Sequence, residues 1–384
     1  MSGPKQIFLT GTTGFLGSHL CWALLLEGHR VTALARSSKT MSAKDRVVDA
    51  LGQVGGGTEA LAEQSDRLKV VEGDIAAPEL GLDRSELAEL EASTDEVWHS
   101  AASLSFLDEE REQIFRMNLG GARNIIDLAA GTPGRRLQHV STAYIAGKRT
   151  GIALESEIDV GQEFKNPYEE SKCRAELALE QAHREGRVVA SVYRPSIVIG
   201  SSGSGRATHF HGVYAFIRGL WAAVRRLRRR QGGSGTVELP LRVLGSESTT
   251  LNFVPIDYVT DGIVAIAKQP GSAGRTYHLA NPQSTENHLW LGIVCDQLGV
   301  EGIRFVDEES FTETPMTKLE ALFHRQMAFY NQYLRAEPRF DCRGTLKALA
   351  GTPIGCPDVT DKFARKMTGW YIDMLNGKKE AETD

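Results

Sequence analysis

Tyr168 and Lys172 stand four residues apart in Pro-Tyr-Glu-Glu-Ser-Lys (167–172). On a helix this spacing puts both side chains on one face. A Lys ammonium there favours the phenolate and lowers a phenol pKa from its usual value of about 10 toward working pH. The pair is therefore read as a general acid/base for a carbonyl oxygen whose carbon receives hydride. Pro167 marks the helix start, because its missing N–H is not needed at the first helical position. Upstream, Ser141-Thr142-Ala143 follows an apolar run. A hydroxyl there sits at the carboxyl end of a strand, where open α/β sheets bind ligands. Thr142 is the choice for hydrogen-bonding the substrate oxygen, with Ser141 as the alternative. Asn118, in the helix before that strand, is a candidate to reach Lys172 through water; a capping or core Asn is the competing reading.

A second constellation precedes these residues. Thr10-Gly11-Thr12-Thr13-Gly14-Phe15-Leu16-Gly17 follows a short apolar run and opens a helical stretch. Gly11 permits a tight turn, Gly14 lets backbone approach a pyrophosphate, and Gly17 allows close helix–strand packing. The helix start offers N–H groups and a partial positive charge to phosphate. Thr13, Phe15 and Leu16 complete the loop around the phosphates. The second apolar run ends at Arg36 rather than at an acid. An acid would hold a ribose 2′-hydroxyl and an Arg suits a 2′-phosphate, so NADP is expected. Arg46 is a second phosphate candidate, and Asp74, after the third run, is placed near an adenine amino group.

Elements must position these groups. Residues 6–10, 31–35, 68–72, 96–101, 136–141, 188–193 and 275–280 read as strands. Residues 18–28, 43–52, 109–130 and 167–185 read as helices. Strands alternating with helices at this spacing imply βαβ units, hence an α/β fold with a doubly wound parallel sheet, a Rossmann architecture. The rhythm breaks after about residue 204. The expected division is an NADP-binding domain of 1–204 and 253–283, and a smaller, mostly helical C-terminal substrate domain of 205–252 and 284–384.

Composition sets outer limits. The 384 residues are 41% hydrophobic and 24% charged with net charge −5, ordinary for a globular chain. That excludes disorder and disulfide-rich miniproteins and gives no sign of nucleic-acid binding. Cysteines at 21, 173, 295, 342 and 356 form no CxxC pair, so neither a metal site nor a disulfide framework is expected. All five are read as buried or incidental thiols, not as acyl-enzyme nucleophiles. No run approaches the ~20 apolar residues of a membrane span, and no secretory leader is recognised. A cytoplasmic location is expected. One segment departs from the average: Arg218, then Arg225, Arg226, Arg228, Arg229 and Arg230. It reads as the basic end of an amphipathic helix, a docking candidate for an acidic carrier protein or for CoA phosphates, against a plain solvated helix end.

TGTTGFLG, GDI, HSAAS, HVSTAY, YEESK and YRPSIVIG occur in the order seen in extended short-chain dehydrogenases/reductases. The wording at 67–82, 97–103 and 118–124 resembles the thioester reductase and fatty acyl-CoA reductase branch. The resemblance covers about residues 6–283. It implies that Gly11, Gly14, Gly17 and Arg36 hold the NADP phosphates and that Asp74 and Ile75 flank adenine. Ala101, Ala102 and Ser103 would run beside the nicotinamide end, and Pro195, Ser196 and Ile197 would pass its amide. Thr142, Tyr168 and Lys172 would form the catalytic triad. The implied activity is NADPH-dependent reduction of an acyl thioester, on CoA or a carrier protein, to an aldehyde and in some members to an alcohol. Neither an adenylation nor a carrier domain is recognised, so the acyl group is expected to arrive from elsewhere, as in secondary-metabolite pathways. Two other readings stand beside this one: an extended reductase or epimerase of a ketone or nucleotide sugar, and a non-catalytic NADP-binding regulator.

Overall fold

The structure is a computed structural model that describes residues 3–55, 57–233 and 235–377. Seven apolar segments become strands: β1 (Gln6–Thr10), β2 (Arg30–Ala35), β3 (Leu68–Glu72), β4 (Glu96–His99), β5 (Arg136–Val140), β6 (Val189–Pro195) and β7 (Thr276–Leu279). They form one sheet in the order β7-β6-β5-β4-β1-β2-β3, and every pairing is parallel. Parallel neighbours need crossover connections. These are α1 (Phe15–Leu26), α2 (Ala43–Val54), α3 (Arg84–Ser93), α4 (Gly121–Gly131) and α5 (Pro167–Arg184). Helices cover both faces, so the strands are nearly continuous apolar runs; Phe8 and Leu9 of β1 are wholly buried. Phe8, Val97, Ile125, Leu128, Leu137 and Leu179 share one core cluster. Strand order reverses between β1 and β4, and the crevice at their carboxyl ends is where a doubly wound sheet takes its ligand.

The helix expected over 109–130 is interrupted. Arg111–Phe115 is α-helical, Arg116–Gly120 forms a wider π turn, and α4 follows. Such a turn inserts an extra residue into the helix and often sits at functional positions. Here it carries Asn118, which is buried.

Chain contacts divide the protein into two units. The first runs to Ser196 and adds Ile256–Ala280 and Phe340–Gly355; the second comprises Ile197–Pro255, Asn281–Arg339 and the chain from Cys356. The first includes α6 (Ile256–Ala267). Phe340–Gly355 packs with the sheet, whereas the expectation assigned it with the rest of 284–384. The cause is Glu155, whose carboxylate accepts from Gly344 N (2.7 Å), Thr345 N (3.1 Å), Thr345 Oγ1 (2.9 Å) and His278 N (3.0 Å). These bonds cap the helix Arg343–Leu349 and tie it to β7.

The second unit contains α7 (Val213–Gln231), α8 (Asn287–Leu298), α9 (Lys318–Arg335) and α10 (Asp361–Leu375). It also holds a parallel pair of strands, Val237–Leu244 and Val300–Val306, that the periodicity did not predict. Each contains a residue that argues against a strand: Pro240 in the first, and Gly302 at φ +87° in the second, next to a register shift.

Candidate active site

The glycine turn leaves β1 directly. Gly11 has φ +84°, and a Cβ there would lie 2.7 Å from Ala101 N. A Cβ on Gly17 would lie 2.0 Å from Gly11 O, so α1 rests on the turn itself. Gly14 N donates to Gly11 O (2.9 Å), and Gly14 begins α1 without any side-chain cap. Thr13, Phe15 and Leu16 are half-buried along this loop. Thr12 Oγ1 is buried and has no hydrogen-bond partner among the described residues. An uncapped helix start, a turn with no room for Cβ atoms and an unpartnered hydroxyl fit a dinucleotide's phosphates.

Arg36 follows β2 and is exposed. Its guanidinium lies 3.4 Å from Asp74 Oδ2. Exposed pairs of this kind contribute about 0–1 kcal/mol, so little holds Arg36 against a phosphate ligand. Arg46 donates to Arg36 O, which places both cations at the same edge. Asp74 Oδ1 accepts from Ala76 N (3.0 Å). Asn124 Nδ2 donates to Ile75 O (2.7 Å) and Ala77 O (2.9 Å), while the Ile75 side chain is part of the core.

β5 delivers Thr142. This residue caps the short turn Ala143–Ala146 by accepting from Tyr144 N (3.2 Å), and it approaches Pro195 O (3.5 Å). α5 begins at Pro167 behind Asn166, whose side chain accepts from Glu169 N (3.0 Å). One turn brings Tyr168 to the Thr142 hydroxyl, and the two are hydrogen-bonded. Phe106 packs against the Tyr168 ring with centroids 5.6 Å apart. Lys172 is buried, and its ammonium donates to Val140 O (2.7 Å). Thr142, Tyr168 and Lys172 thus converge at the carboxyl end of β5. Ser141 Oγ is buried without a hydrogen-bond partner among the described residues, and Thr142 makes the contact to Tyr168.

The electrostatics differ from expectation. Burial pushes the Tyr168 phenol above its usual range, opposed by the bond from Thr142. The expected lowering by Lys172 is corrected on this point, because the ammonium is spent on Val140 O and desolvation dominates. Burial also lowers the Lys172 ammonium to about 8, offset in part by Glu176. A phenol that keeps its proton is suited to donating it.

Asn118 is likewise bound up in the fold. Its Oδ1 accepts from Ser103 N (2.7 Å), and its Nδ2 donates to Ser103 O (3.1 Å) and Ser171 Oγ (2.9 Å). Both amide hydrogens are taken, so it clamps the Ala101–Ala102–Ser103 loop to α5. Pro195 ends β6, Ser196 N donates to Leu279 O (3.2 Å), and Ile197 begins the strand Ile197–Ile199.

Three features were not legible in sequence. His99 and His139 lie with ring centroids 5.2 Å apart; burial, then the Lys172 charge, lowers His99 to about 3 and holds His139 well below the usual imidazole value. His99 Nδ1 bonds Thr10 Oγ1 (2.7 Å). Glu176, one turn beyond Lys172, forms a buried pair with Arg194 (Nη2–Oε2 2.7 Å). His99, His139 and Arg194 fall inside the family motifs, whereas Glu176 falls in none of them.

Burial raises Cys21, Cys173 and Cys342 to about 12 and Cys295 to about 11, which keeps these thiols protonated and unreactive. Among the described residues, no cluster of three or more His, Cys, Asp or Glu could hold a metal ion. No helix among them is long and apolar enough to cross a membrane.

Residues 9–263 match the NAD-binding family described as male sterility protein; the chain belongs to that family and has the extended short-chain dehydrogenase/reductase fold. It is 28% identical over 296 residues, 73% of its length, to the nonribosomal peptide synthetase asaC of Aspergillus flavus. It spans about a quarter or less of the length of that protein and of the other first curated relatives. The terminal R domain of the myxalamid PKS-NRPS biosynthetic pathway superposes with TM-score 0.79 at 26% identity, covering 100% of this chain and 94% of that one. A thiolation-reductase di-domain from an archaeal non-ribosomal peptide synthetase shares the fold, with TM-score 0.74 at 20% identity over 98% of this chain and 77% of the other.

Proposed function

We propose that this chain is a reductase that takes an acyl thioester from a carrier protein or CoA and releases an aldehyde, using NADP in preference to NAD. The observation that carries the reading is the convergence of Thr142, Tyr168 and Lys172 beside the glycine turn. Similarity to the myxalamid R domain supports a thioester over a ketone or nucleotide sugar.

Gly11, Gly14 and Gly17 would receive the pyrophosphate, with Arg36 and Arg46 on the 2′-phosphate. A reduced nicotinamide bound there supplies the hydride for the acyl carbon. The chain's own residues manage the oxygen. Thr142 and Tyr168 hydrogen-bond the carbonyl and hold it in line, and Tyr168 gives up its proton as negative charge develops there. The raised phenol pKa keeps that proton in place until the oxygen needs it. Lys172, fixed by Val140 O, supplies positive charge beside the phenol as it ionises. The resulting hemithioacetal loses its thiol to give the aldehyde. An aldehyde in the same site meets the same donors, so a second round would yield the alcohol.

The test offers octanoyl-CoA, an octanoylated carrier protein, ketones and nucleotide sugars with NADPH or NADH, following loss of reduced nicotinamide absorbance. Thioester turnover with NADPH is expected, falling 10²–10⁴-fold in Tyr168→Phe. Arg36→Ala should erode the preference for NADPH. Turnover of ketones or nucleotide sugars without thioesters would overturn the substrate assignment, and full activity of Tyr168→Phe would overturn the chemistry.

A further inference from the structure

The arginine run on α7 sorts into two kinds of residue. Arg228 turns inward and donates to Leu298 O (2.7 Å) and Gly299 O (3.4 Å). It thereby satisfies the carbonyl end of α8 and serves the fold. Arg225, Arg226, Arg229 and Arg230 are exposed, and no acidic partner is found for any of them among the described residues. They form like-charged pairs at i and i+4 (225 with 229, 226 with 230), which destabilise a helix. The helix dipole rewards cations only in the last turn, and Arg225 and Arg226 lie before it. Folding alone therefore does not account for four unneutralised cations on this face.

The same face has an apolar feature. Trp221 lies under the Arg225 guanidinium (5.0 Å) and donates from Nε1 to Asn376 Oδ1 (3.0 Å). Beside it opens a pocket of about 510 Å³ lined by Trp221, Arg225, Arg229, Gln297, Leu298 and Ile372. Of the acids on the adjoining helices, Asp296 and Asp361 are both paired with Arg365. A Trp and several Arg around a pocket of mixed polar and apolar lining is the composition of an interface hot spot.

We infer that this end of α7 docks an acidic helical surface of the carrier protein that delivers the acyl thioester, with one apolar side chain of the partner entering the pocket. The inference rests on the thioester reading above. Charge complementarity selects the occupant. Arg225 to Arg230 span about 7.5 Å of helix axis at 1.5 Å per residue. That spread exceeds one phosphate and matches acidic residues at i and i+4 on a partner helix. Such a face raises the encounter rate and sets orientation.

The experiment uses the full chain and three probes: an octanoylated acyl carrier protein, octanoyl-CoA, and the octanoyl thioester of N-acetylcysteamine, which has neither protein nor phosphate. Arg225→Glu/Arg226→Glu, Arg229→Glu/Arg230→Glu and Trp221→Ala are compared with the parent. Expected is a KM for the carrier-bound substrate raised at least tenfold at low salt, with kcat retained and the effect shrinking as salt rises. The N-acetylcysteamine thioester should be turned over as before. Binding of the carrier itself, read by fluorescence anisotropy, should weaken in parallel. An unchanged carrier KM, or no saturable carrier binding by the parent chain, would overturn the inference. An equal loss with octanoyl-CoA would also overturn it, in favour of a phosphate site. Anisotropy needs no turnover, so failed docking remains distinguishable from failed thioester reduction.

Discussion

Glu176→Gln should destabilise the catalytic helix far more than a surface change would. The side chains of Arg194 and Glu176 are 1% and 0% exposed. Arg194 Nε reaches both carboxylate oxygens (3.0 and 3.1 Å) and Nη2 reaches Oε2 (2.7 Å), while Nη1 lies 3.3 Å from both Glu155 O and His278 Nε2. Neutralising one partner of a buried pair leaves an uncompensated charge and costs about 3–5 kcal/mol, a large share of a typical total of 5–15 kcal/mol. At 1.36 kcal/mol per decade, this corresponds to roughly two to nearly four orders of magnitude in opening. Amide hydrogen exchange of peptides from α5 should accelerate by that factor. Glu176 also offsets the lowering of the Lys172 ammonium, so the variant should lose activity at a lower pH than the parent, in which Lys172 sits at about 8. The double variant Glu176→Leu/Arg194→Met removes both charges and should recover exchange to within about tenfold, since apolar replacement of both partners is often neutral. Exchange in Glu176→Gln within threefold of the parent, or a double variant as labile as the single one, would refute the reasoning.

Gly17→Ala would place a methyl 2.0 Å from Gly11 O, so the turn must move; NADPH affinity by fluorescence titration should fall about 100-fold or more, about 2.7 kcal/mol, and unchanged affinity would count against the cradle. Asn118→Ala leaves Ser103 N without its acceptor, and thermal unfolding should report a loss of about 1–3 kcal/mol with a fall in kcat; parent-like values of both would contradict the clamp. Acid should destabilise the fold through its neutral histidines. His99 and His278 are lowered to about 3 in the folded chain, against about 6.5 unfolded, so below pH 6.5 the unfolded state takes up protons that the folded state refuses. Stability should be constant with respect to these groups above pH 7 and drop by ~2 kcal/mol for each at pH 5; urea midpoints that do not move between pH 7.5 and 5 would exclude this account.

Local features were legible in the sequence because their physics is local. The demand for glycine comes from a positive φ at 11 and, at 17, from the close approach to Gly11 O a few residues back, so a strand–turn–helix spacing exposes it. Tyr168 and Lys172 share a face by helical period alone, and seven apolar runs alternating with helices imply the parallel sheet that forms. Burial and distant partners decided the rest. Thr142 meets Tyr168 because α5 packs on β6 and on the turn Ala143–Ala146 that follows β5. Desolvation, invisible in composition, raises the phenol that a neighbouring Lys was expected to lower. Asn118 is re-aimed by a π turn toward Ser103 and Ser171. Glu155 draws residues 340–355 back to the sheet across nearly two hundred residues. The arginine run reads as uniform in sequence, yet Arg228 finds carbonyls seventy residues away while its neighbours face solvent. Spacing along the chain sets which face a side chain occupies; only packing sets what that face meets and how much water remains there.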